Sequence, residues 1–78
     1  MEDDREQIQR WLEALYRHQQ TVTQIDAVVR AESFDLPAEA MEVVAGLPSG
    51  LYTRGRLCDQ INSAIVARGL SRRLGTHD

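Results

Sequence analysis

The stretch DDREQIQRWLEALYRHQQTVTQIDAVVRA, residues 3–31, decides how the chain is read: it runs for 29 residues without glycine or proline and carries a sustained apolar stripe at helical spacing. Trp11, Leu15, His18, Val22, Ile25 and Val29 follow one another at intervals of 4, 3, 4, 3 and 4, the alternation of a and d positions in a heptad seam. Ile8, Leu12 and Val28 widen the stripe on its flanks. The opposite face carries Glu6, Arg10, Glu13, Arg17, Gln20 and Gln24. Glu6 with Arg10 and Glu13 with Arg17 stand in the favoured acid-first order, each pair worth a few tenths of a kcal/mol. Glu2, Asp3 and Asp4 precede them, where carboxylates suit the positive end of a helix dipole.

These features predict one helix over about residues 3–31. The alternative is a break at 20–23, where Thr21, Val22 and Thr23 lower helix propensity and Thr23 with Asp26 can cap a restarted helix. The apolar phase passes through this segment without slipping, which favours continuity. A continuous helix would span roughly 43 Å, whereas a compact chain of this length has a radius of gyration of about 11–12 Å. The remaining residues cannot cover so long a seam. Self-association or binding to another protein is therefore expected, with Trp11, Leu15, His18, Val22, Ile25 and Val29 as the core or interface. His18 in the seam is expected to be a hydrogen-bonded core or interface residue, able to make pairing pH-sensitive.

Outward from this stretch, the chain reads as one all-α domain of three helices over residues 1–70, followed by a flexible tail at 71–78. Glu32 to Asp35 is a connection, anchored by Phe34 and Leu36. Pro37 opens a short second helix at about 37–45 with Glu39 and Glu42 near its start, and Gly46 stops it. Leu47-Pro48-Ser49-Gly50 is a turn. A third helix covers about 54–68: Thr53 is the N-cap, Gly69 the C′ residue, and Leu57, Ile61, Ala64 and Ile65 the buried face. Leu70 is placed to pack back on Ile65. From Ser71 onward little is available to bury.

With 78 residues the chain is at the size where one core is marginal and oligomerisation is a common remedy. The aromatics are Trp11, Tyr16, Phe34 and Tyr52, so the core must be mainly aliphatic. Net charge is −3, which gives no global attraction to nucleic acid or anionic lipid. All nine basic residues are arginine, which points to a GC-rich genome and hence to a bacterium or its phage. A lone cysteine, no apolar signal segment and no apolar run of membrane-spanning length lead to the expectation of a cytoplasmic protein with no membrane partner.

The chemical motifs are sparse. Cys58 has no base placed beside it by any local pattern and reads as an inert core thiol. No metal, phosphate-loop or calcium-loop spacing occurs, and His77-Asp78 makes a poor metal pair. No catalytic activity, cofactor, metal or small-molecule substrate is expected. The reading that follows is a non-catalytic protein–protein interaction module, a small adaptor or regulator that self-associates or binds a protein partner. One alternative is a small DNA-binding transcriptional regulator. It would use the third helix, with Arg54 and Arg56 at its start, Gln60 on its outer face and Arg72 and Arg73 in the tail. Residues 51–78 carry five arginines against Asp59 and Asp78, a net of +3, while Gly46 to Tyr52 is too long for the 3–4-residue turn of a helix-turn-helix. The other alternative is an acidic inhibitor or immunity-type protein that occludes a basic partner through residues 2–6.

Overall fold

The computed structural model describes residues 3–77. Its elements are α1 (Asp4–Leu15), β1 (Thr21–Thr23), α2 (Gln24–Ser33), α3 (Ala38–Ala45), β2 (Leu51–Thr53), α4 (Arg54–Ala67) and α5 (Ser71–Leu74). The fold is mostly helical, as the composition implies, with one small sheet. In that sheet β1 and β2 pair antiparallel, Thr21 with Thr53, Val22 with Tyr52 and Thr23 with Leu51. Val22 and Tyr52 point into the core and their neighbours away from it, the alternation a strand imposes.

The long first helix is the main difference from the sequence reading. Residues 3–31 form two helices, and the break falls at 16–23, around the point where Thr23 was able to restart a helix. The physical reason is compactness: the molecule measures 29 × 27 × 19 Å, and a rod of roughly 43 Å has no place in it. Folding back lets both halves of the stripe share one core. Trp11 and Leu15 before the break and Val22 within it, on β1, are all buried, and the Trp11 indole N–H donates to the Ala27 carbonyl at 3.1 Å, tying α1 to α2. The β-branched Thr21-Val22-Thr23, poor in a helix, supplies a strand instead.

Local chemistry fixes the restart. The Thr23 hydroxyl accepts from the Asp26 amide at 3.1 Å, and the Asp26 carboxylate accepts from the Thr23 amide at 3.2 Å, a reciprocal capping box. Strand residues alternate by about 180° rather than advancing by 100°, so the helical phase is lost across β1. Helix α2 emerges with Ala27 and Ala31 inward, while Ile25 and Val29, assigned to the seam by periodicity, face outward.

The other two helices lie within a residue of their expected bounds. Pro37 is the N-cap of α3 rather than its first residue, and Gly46 is its C-cap. Thr53 caps α4, its hydroxyl accepting from the Arg56 amide at 3.2 Å. At the far end Gly69 takes φ +70°, its amide donates to Val66 O at 3.0 Å, and the Leu70 amide donates to Ile65 O at 2.9 Å, the paired bonds of a Schellman ending.

The C-terminal segment also departs from expectation. Instead of a frayed tail, residues 71–74 form the short helix α5 and Leu74 is fully buried. Three residues on, the His77 backbone brackets the Asn62 side-chain amide: the His77 N–H donates to Asn62 Oδ1 and Asn62 Nδ2 donates to the His77 carbonyl, both at 2.8 Å. A single Leu in a polar run gives almost no periodic signal, and the Asn62 partner is 15 residues away, so neither contact was visible locally. Glu2 and Asp78, named in the sequence reading, lie outside the described residues.

Candidate protein interface

Among the described residues, four large apolar side chains stand exposed: Ile25 at 70%, Val29 at 60%, Leu51 at 64% and Val66 at 60%. An isolated exposed valine such as Val66 on α4 is unremarkable. The other three are neighbours. Ile25 and Val29 are i and i+4 on α2, so they stand one above the other on its outer face. Ile25 and Leu51 line one open groove with Thr23, Gln24, Ser49 and Gly50. On the other flank of α2, Leu15, Gln19, Val22, Asp26, Val29, Arg30 and Ser33 line a second groove. The apolar strip Leu51–Ile25–Val29 therefore runs between two shallow channels.

The scaffold under this strip is held at several points. The capping box fixes the first turn of α2, and Gln24 Nε2 donates to the Ala45 carbonyl at 3.2 Å, linking that turn to the end of α3. Trp11 clamps the inner face through Ala27. The Tyr16 hydroxyl donates to the Tyr52 carbonyl at 2.9 Å, joining the end of α1 to β2, and Tyr52 in turn donates to the Pro48 carbonyl. Burial pushes the Tyr16 phenol up to about 12, the nearby Cys58 thiol adding to the rise and the Arg54 charge opposing it.

Five of the six residues expected in the interface thus separate into two groups. Trp11, Leu15 and Val22 belong to the core, whereas Ile25 and Val29 are at the surface and adjacent. His18 lies in the bend at 16–20 and is exposed, not seated in an apolar seam, because the helix that would have placed it there ends at Leu15. Leu51 was missed. Its signal was the alternation of Leu51-Tyr52-Thr53 beside a turn, where one of two adjacent apolar residues in a strand must face out.

The arginines considered for nucleic acid stand at opposite ends of α4. Arg54 and Arg56 open α4, with the Arg56 guanidinium 5.9 Å from the Tyr52 ring centroid. Arg72 and Arg73 lie beyond its other end, a helix length of roughly 20 Å away. Arg73 is further committed to two carboxylates, Glu39 at 2.7 Å and Asp4 at 3.5 Å, and Arg68 to Glu42 at 3.2 Å. Gln60 is exposed on α4 between these ends. The four-residue turn typical of a helix-turn-helix occurs instead between α2 and α3, at 34–37, with Asp35 in the left-handed region at φ +52°. Its second helix, AEAMEVVA, would present Glu39 and Glu42 to a phosphate backbone.

Among the described residues, no group of three or more His, Cys, Asp or Glu side chains converges as a metal site would require. His77 is buried with both ring nitrogens engaged. Leu74 O lies 2.8 Å from Nε2 and can only accept, so Nε2 carries the proton, and Nδ1 accepts from Gln9 Nε2 at 2.9 Å. The core cavity lined by Trp11, Ala40, Ile61 and Leu74 has about 10 Å³ of space, barely one water. No helix of the described residues is long and apolar enough to cross a membrane. Comparisons with protein families, curated proteins and solved structures gave no match to this chain.

Proposed function

We propose that this chain is a non-catalytic protein–protein interaction module, a small helical adaptor or regulator that binds through the outer face of α2 and the tip of β2. The observation that carries this reading is the exposure of Ile25, Val29 and Leu51 side by side on a scaffold that, among the described residues and Val66 excepted, at least partly buries its other large aliphatics. Removing one such side chain from water stabilises an assembly by about 1.5–3 kcal/mol before the costs of association. A chain of this size leaves three together only at some expense in solubility, and interaction is the common reason for such a patch.

Two features make DNA binding the weaker reading. The arginines are divided between the two ends of α4, and two of those near its C-terminal end, Arg68 and Arg73, are paired with Glu42, Glu39 and Asp4. The acidic-occlusion reading is weakened by charge mixing, since Arg5 and Arg10 are interleaved with Asp3, Glu6 and Glu13 along one groove. The test is a nuclease-treated pull-down with the wild-type chain and the Ile25→Asp variant, each checked for folding by circular dichroism. A protein retained by the wild type and lost with folded Ile25→Asp supports the reading. Retention that depends on intact nucleic acid overturns it, as does equal retention by both chains.

A further inference from the structure

Helix α2 carries a charge pattern that complements itself. Asp26 and Arg30, i and i+4, lie on the same flank of the Ile25–Val29 strip and line the same groove. Both are exposed, and among the described residues no ion pair engages Arg30, although an intrahelical pair with Asp26 is sterically available. A two-fold axis passing beside the outer face of α2 at the level of Val28, perpendicular to the helix, would bring a second α2 antiparallel against the first. At 1.5 Å rise per residue, Asp26 then lies level with the second copy's Arg30 and Arg30 level with its Asp26. On the same axis the apolar side chains follow in the order Ile25, Val29 of the second copy, Val29, Ile25 of the second copy, at steps of roughly 3 Å, an interleaved row. One symmetry operation satisfies both the charges and the apolar strip. A parallel pairing would set Asp26 against Asp26.

We infer that the occupant of this surface is a second copy of the chain, docked antiparallel through α2 with reciprocal Asp26–Arg30 pairs flanking an Ile25–Val29 row. This rests on the reading of α2 as the interaction surface and names the partner. The contact is modest: standard interfaces bury about 800 Å² per partner, and a ten-residue helix with the Leu51 tip offers less. The assembly is therefore dynamic, and its mass depends on concentration. The exposed ion pairs chiefly set orientation, being worth about 0–1 kcal/mol each.

Sedimentation of the purified chain from about 1 µM to about 1 mM tests this, a range that covers weak association. The expected result is a mass rising from the 8.8 kDa monomer toward the dimer. Arg30→Glu alone and Asp26→Arg alone each set like charges against one another and shift the midpoint to at least about tenfold higher concentration, about 1.4 kcal/mol by the standard conversion. Mixing the two folded variants restores association, since each then faces its opposite. Asp26→Arg also removes half of the capping box, so its folding is verified by thermal melting, and Ile25→Asp provides a second disruptive variant outside the cap. A wild-type chain that stays monomeric throughout overturns the second-copy assignment, and so do variants that fail to complement. If the pull-down still loses its protein with Ile25→Asp, the interaction reading stands with a different partner. If it does not, both fail.

Discussion

Replacing Leu74 by alanine separates a docked C-terminal segment from a frayed one. Leu74 is fully buried and closes the core against Ile8, Trp11, Ile61 and Ile65. The substitution removes three carbons' worth of burial, about 2.4 kcal/mol at about 0.8 kcal/mol each. The unfilled space adds a cavity cost, giving the 2–5 kcal/mol typical of buried Leu→Ala changes. A chain of this length has a total stability of about 4–12 kcal/mol, so the loss is a large share of it. Val66→Ala is the control: it truncates an exposed aliphatic on the preceding helix and should change stability by less than about 0.5 kcal/mol. Urea unfolding reads both, and a thermal scan should show Leu74→Ala melting about 10–30 °C lower. Equal midpoints for the two variants would refute the packing of α5.

Three further outcomes follow from the contacts that join the elements. Thr23→Ala removes the hydroxyl half of the capping box and should cost about 1 kcal/mol by urea unfolding, with the loss of helical signal confined to α2. Trp11→Phe leaves the Ala27 carbonyl without its buried donor and should cost about 1–3 kcal/mol in the same assay. Tyr16→Phe loses the bond to the Tyr52 carbonyl, about 0.5–1.5 kcal/mol at neutral pH. Tyr16 also gives an alkaline signature. With the folded value raised from 10.0 to about 12, the folded chain holds the phenol proton more tightly than the unfolded one. Its contribution is full below pH 10 and is lost as pH rises through 12, and the Phe variant should lack that share of the decline. The chain has no lysine, so no ammonium titrates in this window and confuses the measurement.

Much of the fold was legible where it rests on local chemistry. Thr53, Gly46, Gly69 and Leu70 mark helix ends through bonds made within a few residues, and each behaves as its chemistry requires. The Thr23–Asp26 restart was legible too, but it competed with a stripe whose spacing stayed in register across the bend. Trp11, Leu15 and Val22 do share one core, which is why the spacing persisted; they reach it from two elements, and periodicity does not distinguish that from one helix. Ile25 and Val29 are apolar side chains that the chain itself leaves uncovered, but the spacing grouped them with Trp11, Leu15 and Val22, which the core buries. Leu51 joins Ile25 and Val29 only through the β1–β2 pairing, and His77 finds Asn62 and Gln9 only in three dimensions.

Site-specific photocrosslinking tests most directly whether α2 is the binding face. A photoreactive residue replaces Val29 in one chain and Gln60, exposed on α4, in another. Both are irradiated in nuclease-treated lysate supplemented with the purified chain. Discrete protein adducts at position 29, including the chain's own dimer, with none at position 60, are the expected result. Adducts at position 60 alone, or none at either position, would contradict the assignment of α2 as the interaction surface.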